Sequence, residues 1–345
     1  MSKLKDFINK KGFFTIAEAG CNHEGNFDIA IKMIKEAAKA GADAIKFQSF
    51  NQKNLFATKS YTRTLKLKDD ALNEIDKIVF KKEWYEPLIE EAKKNKIIFM
   101  TTPFSIDSVY DINNYEIPII KIASCDIDNI PLLDAVAKTK KPVILSTGLA
   151  YNKDIKEALK ILKKNEVALL HCSVEYPTPI NKARLNRINV MKKLFKDYII
   201  GYSDHTIGIE SSITAAIFGA EIIEKHFTIN PEKNNGDHII SLDTDNMSNM
   251  IKSIEKTLIM LGGKDALEKE HVLSDQEKKE LIYAKRGLYL NREMSKGETI
   301  QKKDLIALRP CIGISAKYYK KVIGKVLKVD KKPDEALSFR ELKNK

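Results

Sequence analysis

Short apolar runs of strand length recur along this chain. Each closes on polar residues and is followed by a stretch of helical spacing. The run at 13–17 closes on Glu18, the run at 44–48 carries Lys46 and Gln48, and the run at 97–100 closes on Thr101 and Thr102. Residues 119–122 carry Lys121 and lead into Ser124 and Asp126. The runs at 143–145 and 167–170 close on Ser146 and on His171-Cys172. The last two runs deliver Ser203, Asp204 and His205, then Glu224, Lys225 and His226. Among the intervening stretches, Ala30, Met33, Ile34 and Ala37 follow the i, i+3, i+4, i+7 rule of an amphipathic helix. Strands that alternate with helices predict a parallel sheet. Eight such units in roughly 260 residues predict a (β/α)8 TIM barrel. A doubly wound sheet is the structural alternative, but no G-x-G-x-x-G follows the first run.

Barrel enzymes build their sites at the C-terminal ends of the strands. Glu18, Lys46, Gln48, Thr102, Ser124, Ser146, Tyr176, His205 and His226 are therefore expected around one mouth. Neighbouring strands about 4.8 Å apart would bring His205 and His226 within reach of one metal ion. The plainer alternative is two unrelated histidines, one capping and one buried. Lys46 and Lys121 interrupt apolar strands, which argues against solvated charges. Glu18 ends an apolar strand, where burial without a partner is costly.

The formal net charge of +12 admits a nucleic-acid partner. The lysines are spread along helices, however, with no Arg-rich or aromatic-interleaved patch, so solvated helix faces account for them. A basic field also suits an anionic small substrate. With 43% hydrophobic and 31% charged residues, a globular soluble chain is expected. No apolar run approaches the roughly 18 residues of a membrane span, and the N-terminus lacks a secretion signal. A cytoplasmic location is expected. The four cysteines are far apart and form no C-x-x-C, which argues against a zinc site. Cys125 and Cys172, at strand ends, read either as nucleophiles or as small packing residues. Residues 50–80 read as a long polar loop of lid character. The composition changes after Leu261. The expected organisation is a barrel over 1–265, a charged linker over 266–285, and a mainly β domain over 286–345 that is marginal alone.

Taken together, the motifs resemble the sialic acid synthase family, enzymes that make nonulosonic acids from phosphoenolpyruvate. They are I-A-E-A-G-C-N-H-E-G at 16–25, G-A-D-A-I-K-F-Q at 41–48, T-P-F-S at 102–105 and K-I-A-S at 121–124. H-C-S-V-E-Y-P-T-P at 171–179, G-Y-S-D-H-T at 201–206, E-K-H-F-T at 224–228 and Gly236-Asp237-His238 follow in family order. K-G-E-T-I at 296–300 and Arg309-Pro310 resemble the antifreeze-like (SAF) domain of the same enzymes. The resemblance implies a domain-swapped homodimer and a divalent metal on His205 and His226, manganese first, with magnesium or cobalt as alternatives. It implies Glu18 as the acidic catalytic residue. Lys46, Thr102, Lys121, Ser124, Ser146 and Ser203 would hold phosphoenolpyruvate. Gln48, Asp126, Tyr176 and Asp237 would face the sugar, with Arg309 reaching in from the partner subunit. Val174 stands where sialic acid synthases proper carry an asparagine, and Asp126 replaces a frequent glutamate.

The implied reaction is an aldol-like condensation of phosphoenolpyruvate with an open-chain 2-acetamido sugar, N-acetylmannosamine to N-acetylneuraminate, with release of phosphate. A weakly nucleophilic enol phosphate needs an activated aldehyde, which a Lewis-acidic metal provides. The alternatives are the same reaction on a 2,4-diacetamido-2,4,6-trideoxyhexose, giving legionaminic or pseudaminic acid, and a non-catalytic sugar-binding protein of the same fold. No nucleic-acid or membrane partner is expected.

Overall fold

The computed structural model of the chain describes residues 4–8, 11–50, 52–66, 72, 75–262 and 273–345. The chain divides into two compact units, Met1–Gly263 and Lys264–Lys345.

In the first unit the strands are β1 (Phe14–Gly20), β2 (Ala44–Ser49), β3 (Ile98–Pro103), β4 (Ile120–Ile122), β5 (Val143–Ser146), β6 (Val167–Cys172), β7 (Ile199–Asp204) and β8 (Ile222–His226). They form a closed barrel in that order, and β1 pairs in parallel with both β2 and β8. This is the TIM barrel that the alternating pattern predicts. A short helix α1 (Leu4–Ile8) precedes β1, and α2 (Phe27–Ala40) follows it. The Asn26 side chain accepts from the N–H groups of Asp28 and Ile29 and so starts α2. Gly41, at φ 91°, ends it by returning its N–H to Ala37 and Ala38. After β2 come α3 (Gln52–Leu55) and α4 (Thr58–Leu65), so the stretch read as a polar loop carries helical turns among its described residues. Helices α5 (Tyr85–Lys94), α6 (Ile106–Asn113), α7 (Ile130–Thr139), α8 (Asn152–Ile161), α9 (Asn186–Leu194), α10 (Glu210–Ile217) and α11 (Thr244–Met260) complete the outer layer.

Side chains on a strand alternate between its two faces, and here the alternation sorts the molecule into layers. The outward residues Ile45, Phe47, Leu145, Leu169 and Ile223 join Met33, Leu88 and Ile251 of the helices in the main core. The inward residues at the start of the strands form a second cluster: Phe14, Ile16, Met100, Ile144, Leu170 and Ile222. Leu4 and Ile8 of α1 pack into that cluster and close the N-terminal end of the barrel. Two residues further along, the inward positions turn polar. Ile16 is followed on its face by Glu18, Ala44 by Lys46, Ile144 by Ser146, and Ile222 by Glu224 and then His226. The barrel is therefore apolar at its base and charged at its mouth.

In the second unit, helix α12 (Asp275–Ala284) occupies part of the stretch read as a linker. Ser274 and Glu277 start it with a capping box. Strands β9 (Gly287–Leu290) and β10 (Leu305–Leu308) pair antiparallel, and so do β11 (Val326–Leu327) and β12 (Leu342–Lys343). The short helix α13 (Tyr319–Val322) lies between the two pairs in sequence. Leu288, Leu290, Met294, Ile300, Val322 and Leu327 are among the residues of its small core. Among the described residues no helix is long and apolar enough to cross a membrane.

Candidate active site

Strand register places the charged groups. Glu18 of β1 lies opposite Lys46 of β2 on one side and opposite His226 of β8 on the other. Beside them, Ser203 of β7 lies opposite Glu224 of β8. A cavity of about 310 Å³ opens at the C-terminal ends of the strands, a size suited to a small-molecule ligand.

Two lysines anchor its floor. Lys46 Nζ stands 2.7 Å from Glu18 Oε2 and donates to Thr102 Oγ1 at 2.9 Å. Gln48 Nε2 donates to the other Glu18 oxygen at 2.8 Å. Lys121 Nζ donates to Ser146 Oγ at 2.7 Å. Glu224 Oε1 lies between the two ammonium groups, 3.8 Å from Lys46 and 3.6 Å from Lys121, and accepts from Ser203 Oγ at 3.2 Å. Burial would lower the Lys46 ammonium, but Glu18 and Glu224 beside it hold it above the usual lysine range. Burial does lower Lys121, and Glu224 only partly offsets this. Burial would raise Glu224, yet Lys121 and Lys46 hold it well below the usual carboxylate range.

The histidines stand side by side, with ring centroids 5.5 Å apart. His205 Nδ1 is 2.7 Å from the Ser173 carbonyl. A carbonyl only accepts, so this nitrogen carries the proton and Nε2 keeps its lone pair. Burial and the neighbouring His226 push the His205 pKa down to about 4, so the ring is neutral at pH 7. His226 Nδ1 is buried without a hydrogen-bond partner, with Asp237 Oδ2 3.6 Å away. The Tyr176 ring lies over His205 at 4.1 Å between centroids. Two adjacent imidazoles, one with a free lone pair and one with an orphaned nitrogen, fit a divalent ion that keeps open positions for oxygen ligands. Among the described residues no cluster of three His, Cys, Asp or Glu groups gathers to hold a metal, so any ion there rests on the two histidines with water or substrate.

The Asp237 backbone is held by a relay from the loop after β1. Asn22 Nδ2 donates to the Phe227 carbonyl and to Ser241 Oγ, both at 2.9 Å, and Ser241 Oγ donates to the Asp237 carbonyl at 2.6 Å. Gly20 leaves the space between them. At its φ of +52°, a Cβ would stand 3.1 Å from Asp237 Oδ2 and 3.4 Å from Gln48 Nε2.

Of the residues singled out from sequence, Glu18, Lys46, Gln48, Thr102, Lys121, Ser124, Ser146, Tyr176, Ser203, His205, His226 and Asp237 all line this cavity. Asp126 does not. It sits in the turn after β4, where its carboxylate accepts from Asn129 Nδ2 at 2.9 Å. Arg309 belongs to the second unit, just past β10. Glu224 was not singled out, although its place two residues before His226 puts it on the same inward face. Burial raises the Cys172 and Cys125 thiols, Cys125 to about 11, so neither is an activated nucleophile. Cys172 instead packs in the wall, 3.0 Å from Ser124 Oγ.

A buried lysine-carboxylate floor and paired imidazoles at the mouth of a TIM barrel mark a candidate site for a small polar molecule. The profile of the NeuB family matches residues 33–266 and that of the SAF domain residues 285–343. The chain belongs to the NeuB family, the nonulosonic acid synthases, and is an enzyme of that class. It is 38% identical to the N,N'-diacetyllegionaminic acid synthase of Campylobacter jejuni, over 93% of this chain and 98% of that one. It is 32% identical to the pseudaminic acid synthase of the same species, over 97% and 98%. Among solved structures, the N-acetylneuraminic acid (sialic acid) synthetase of Leptospira borgpetersenii, in complex with citrate, superposes with a TM-score of 0.71. Its identity is 37%, over 78% of this chain and 90% of that one.

Proposed function

We propose that this enzyme condenses phosphoenolpyruvate with an open-chain 2-acetamido sugar and releases phosphate. The observation that carries the reading is the floor, where two buried ammonium groups each meet a hydroxyl, at Thr102 and Ser146, and share one carboxylate, Glu224. Such a pair takes the carboxylate and phosphate of an enol phosphate by charge-assisted hydrogen bonds. His205 and His226 would hold a divalent metal, manganese first. When bound, it supplies Lewis acidity toward the aldehyde oxygen and positive charge for an anionic substrate. The enol carbon C3 bonds to the sugar aldehyde carbon, and the former aldehyde oxygen takes up a proton. Glu18, held by Lys46 and Gln48, accepts a proton from the water that adds to C2. The C2–O bond to phosphate then breaks as the new hydroxyl loses its proton, leaving a 2-keto acid. Tyr176 and Asp237, at the rim near the histidines, orient the sugar.

For the acceptor we infer a 2,4-diacetamido-2,4,6-trideoxyhexose, which reverses the order in which the sequence placed the two sugars. Phe104, Leu149 and Val174 line the outer cavity, an apolar wall suited to a C6 methyl and a second acetamido methyl. The 38% identity to a diacetyllegionaminic acid synthase along almost the whole chain supports the same choice. N-acetylmannosamine is the second reading, favoured by the likeness to the Leptospira enzyme.

A domain-swapped homodimer, with Arg309 of one copy at the mouth of the other, is supported by exposed apolar residues around that mouth: Ile106, Ile130, Leu149, Tyr151, Ile180 and Ile207. Arg309→Ala is expected to raise the KM for the sugar at least tenfold and leave the barrel folded. Parent-like kinetics would remove Arg309 from the site.

The deciding experiment is phosphate release from phosphoenolpyruvate with manganese, comparing N-acetylmannosamine with 2,4-diacetamido-trideoxyhexoses, with and without a chelator. Release only with the diacetamido sugars, abolished by chelation, is expected. Release with N-acetylmannosamine alone would reverse the sugar assignment. No release with either, from folded and metal-loaded protein, would sink the synthase reading.

A further inference from the structure

Behind the two histidines, on the opposite face of the same strands, lies a polar cluster that the chemistry above does not use. Asp204 of β7 and Lys225 of β8 are cross-strand partners in direct register. Both are completely buried, with Lys225 Nζ 3.3 Å from Asp204 Oδ2. The Asp204 carboxylate also accepts from Thr206 N and Thr206 Oγ1, each at 2.8 Å, and from Ser212 Oγ of α10 at 2.7 Å. Tyr202 OH reaches it at 3.4 Å. The Lys225 ammonium donates to the Thr206 carbonyl. Neither residue lines the cavity.

Taking an ion pair fully out of water costs several kcal/mol per ion, and an apolar pair of similar volume is often no less stable. Stability alone gives little reason for this arrangement, whereas geometry gives one. His205 sits between Asp204 and Thr206, and both of its neighbours are tied, one through its carboxylate and the other through its N–H, hydroxyl and carbonyl. His226 directly follows Lys225. The cluster therefore grips the chain on both sides of one imidazole and next to the other.

We propose that Asp204 and Lys225 are positioning residues that set the separation of the His205 and His226 rings, and so tune the site for a divalent cation without touching it. The inference rests on the metal reading for its consequence, and the ring separation tests it independently. The test is the full-length double variant Asp204→Asn/Lys225→Met, which removes both charges at nearly constant volume. Its crystal structure is expected to show the ring centroids further apart than 5.5 Å. By calorimetry its manganese Kd is expected to rise about 10- to 100-fold, the usual cost of losing groups that orient ligands. Phosphoenolpyruvate affinity should stay within about threefold, because Lys46 and Lys121 are untouched; a merely destabilised barrel would lose both. An unchanged ring separation overturns the proposal, whatever the metal does. If the parent itself binds no manganese, the metal reading fails, and the ring separation still decides the positioning role. Should the double variant not fold, Thr206→Val, which removes one donor from Asp204, carries the same two measurements. Unchanged rings and unchanged affinity there overturn the proposal as well.

Discussion

Glu18, Lys46, Lys121 and Glu224 are between 2% and 5% exposed, whereas Leu149, Val174 and Ile207 of the following loops are 60%, 37% and 65% exposed. One barrel thus presents two kinds of wall, one buried and one open to solvent. In the deep wall every charge has an opposite partner within 3.8 Å, because an unpaired charge there would carry its full desolvation cost. The rim residues Leu149, Val174 and Ile207 are apolar and partly wet, and none of them carries a charge that a substitution would leave unpaired. The difference teaches that, under the proposed reaction, chemistry and selectivity are separable: the groups assigned to the enol phosphate are locked to one another, and those assigned to the variable end of the sugar are free to change singly.

Substitutions can break that separation, and Glu18→Gln should do so most severely. It is nearly isosteric and removes the proton acceptor, but it leaves one oxygen where two accept from Gln48 and Lys46. We expect kcat to fall by about 10²–10⁴ with little change in the KM for phosphoenolpyruvate; a steady-state comparison showing the loss in KM instead would make Glu18 a binding group. Lys46→Met leaves Glu18 and Glu224 short of a partner in a buried wall. It should cost about 3–5 kcal/mol of stability, read as a lowered denaturation midpoint, and a fully stable variant would mean that the deep charges are not locked. Acid probes the support behind that wall. His23 is fully buried among Phe47, Phe80 and Trp84, and burial lowers its pKa to about 4 from 6.5. The unfolded chain therefore binds this proton first. Stability is fully present above pH 6.5 and falls as the pH drops toward 4. About 2 kcal/mol should be lost between pH 6.5 and 5, and His23→Phe should flatten that slope in melting curves. The smallest effect belongs to the rim. Val174→Asn should shift the ratio of kcat/KM toward N-acetylmannosamine by about tenfold, near 1.4 kcal/mol, while leaving turnover with phosphoenolpyruvate intact. A collapse of turnover would show that rim and floor are coupled.

Much of this was legible before the structure. Short apolar runs and their polar ends carry enough information to place the barrel and its mouth, because the inward face of each strand changes from apolar to polar at one level. The histidines were legible for the same reason: adjacent parallel strands leave little choice about which ends meet. Glu224 was missed because its role depends on two lysines from β2 and β4, and sequence offers no measure of a distance across the barrel. Asp126 lies off the cavity lining because Asn129, three residues on, donates to its carboxylate in a local turn. That competition is settled by backbone geometry rather than residue type. Helix α1 hid because its five residues are too few to show a helical period, although Leu4 and Ile8 are buried and Phe7 packs beside them. Helix α12 was read as linker from its charge, yet its capping box was present in the sequence.

The plug made by α1 also bears on how the molecule comes to be made. Leu4 and Ile8 are made long before their seat is complete, since it includes Ile199 and Ile222, and Leu4 donates its N–H to Glu166, 162 residues later. The seam between β1 and β8, tied by Asn22 to the Phe227 carbonyl across 205 residues, cannot form until the last strand exists. Contacts of such long range come late and slowly. Helix α1 waits for the last strand to find its place, and until that strand arrives the nascent barrel is an open sheet with two raw edges.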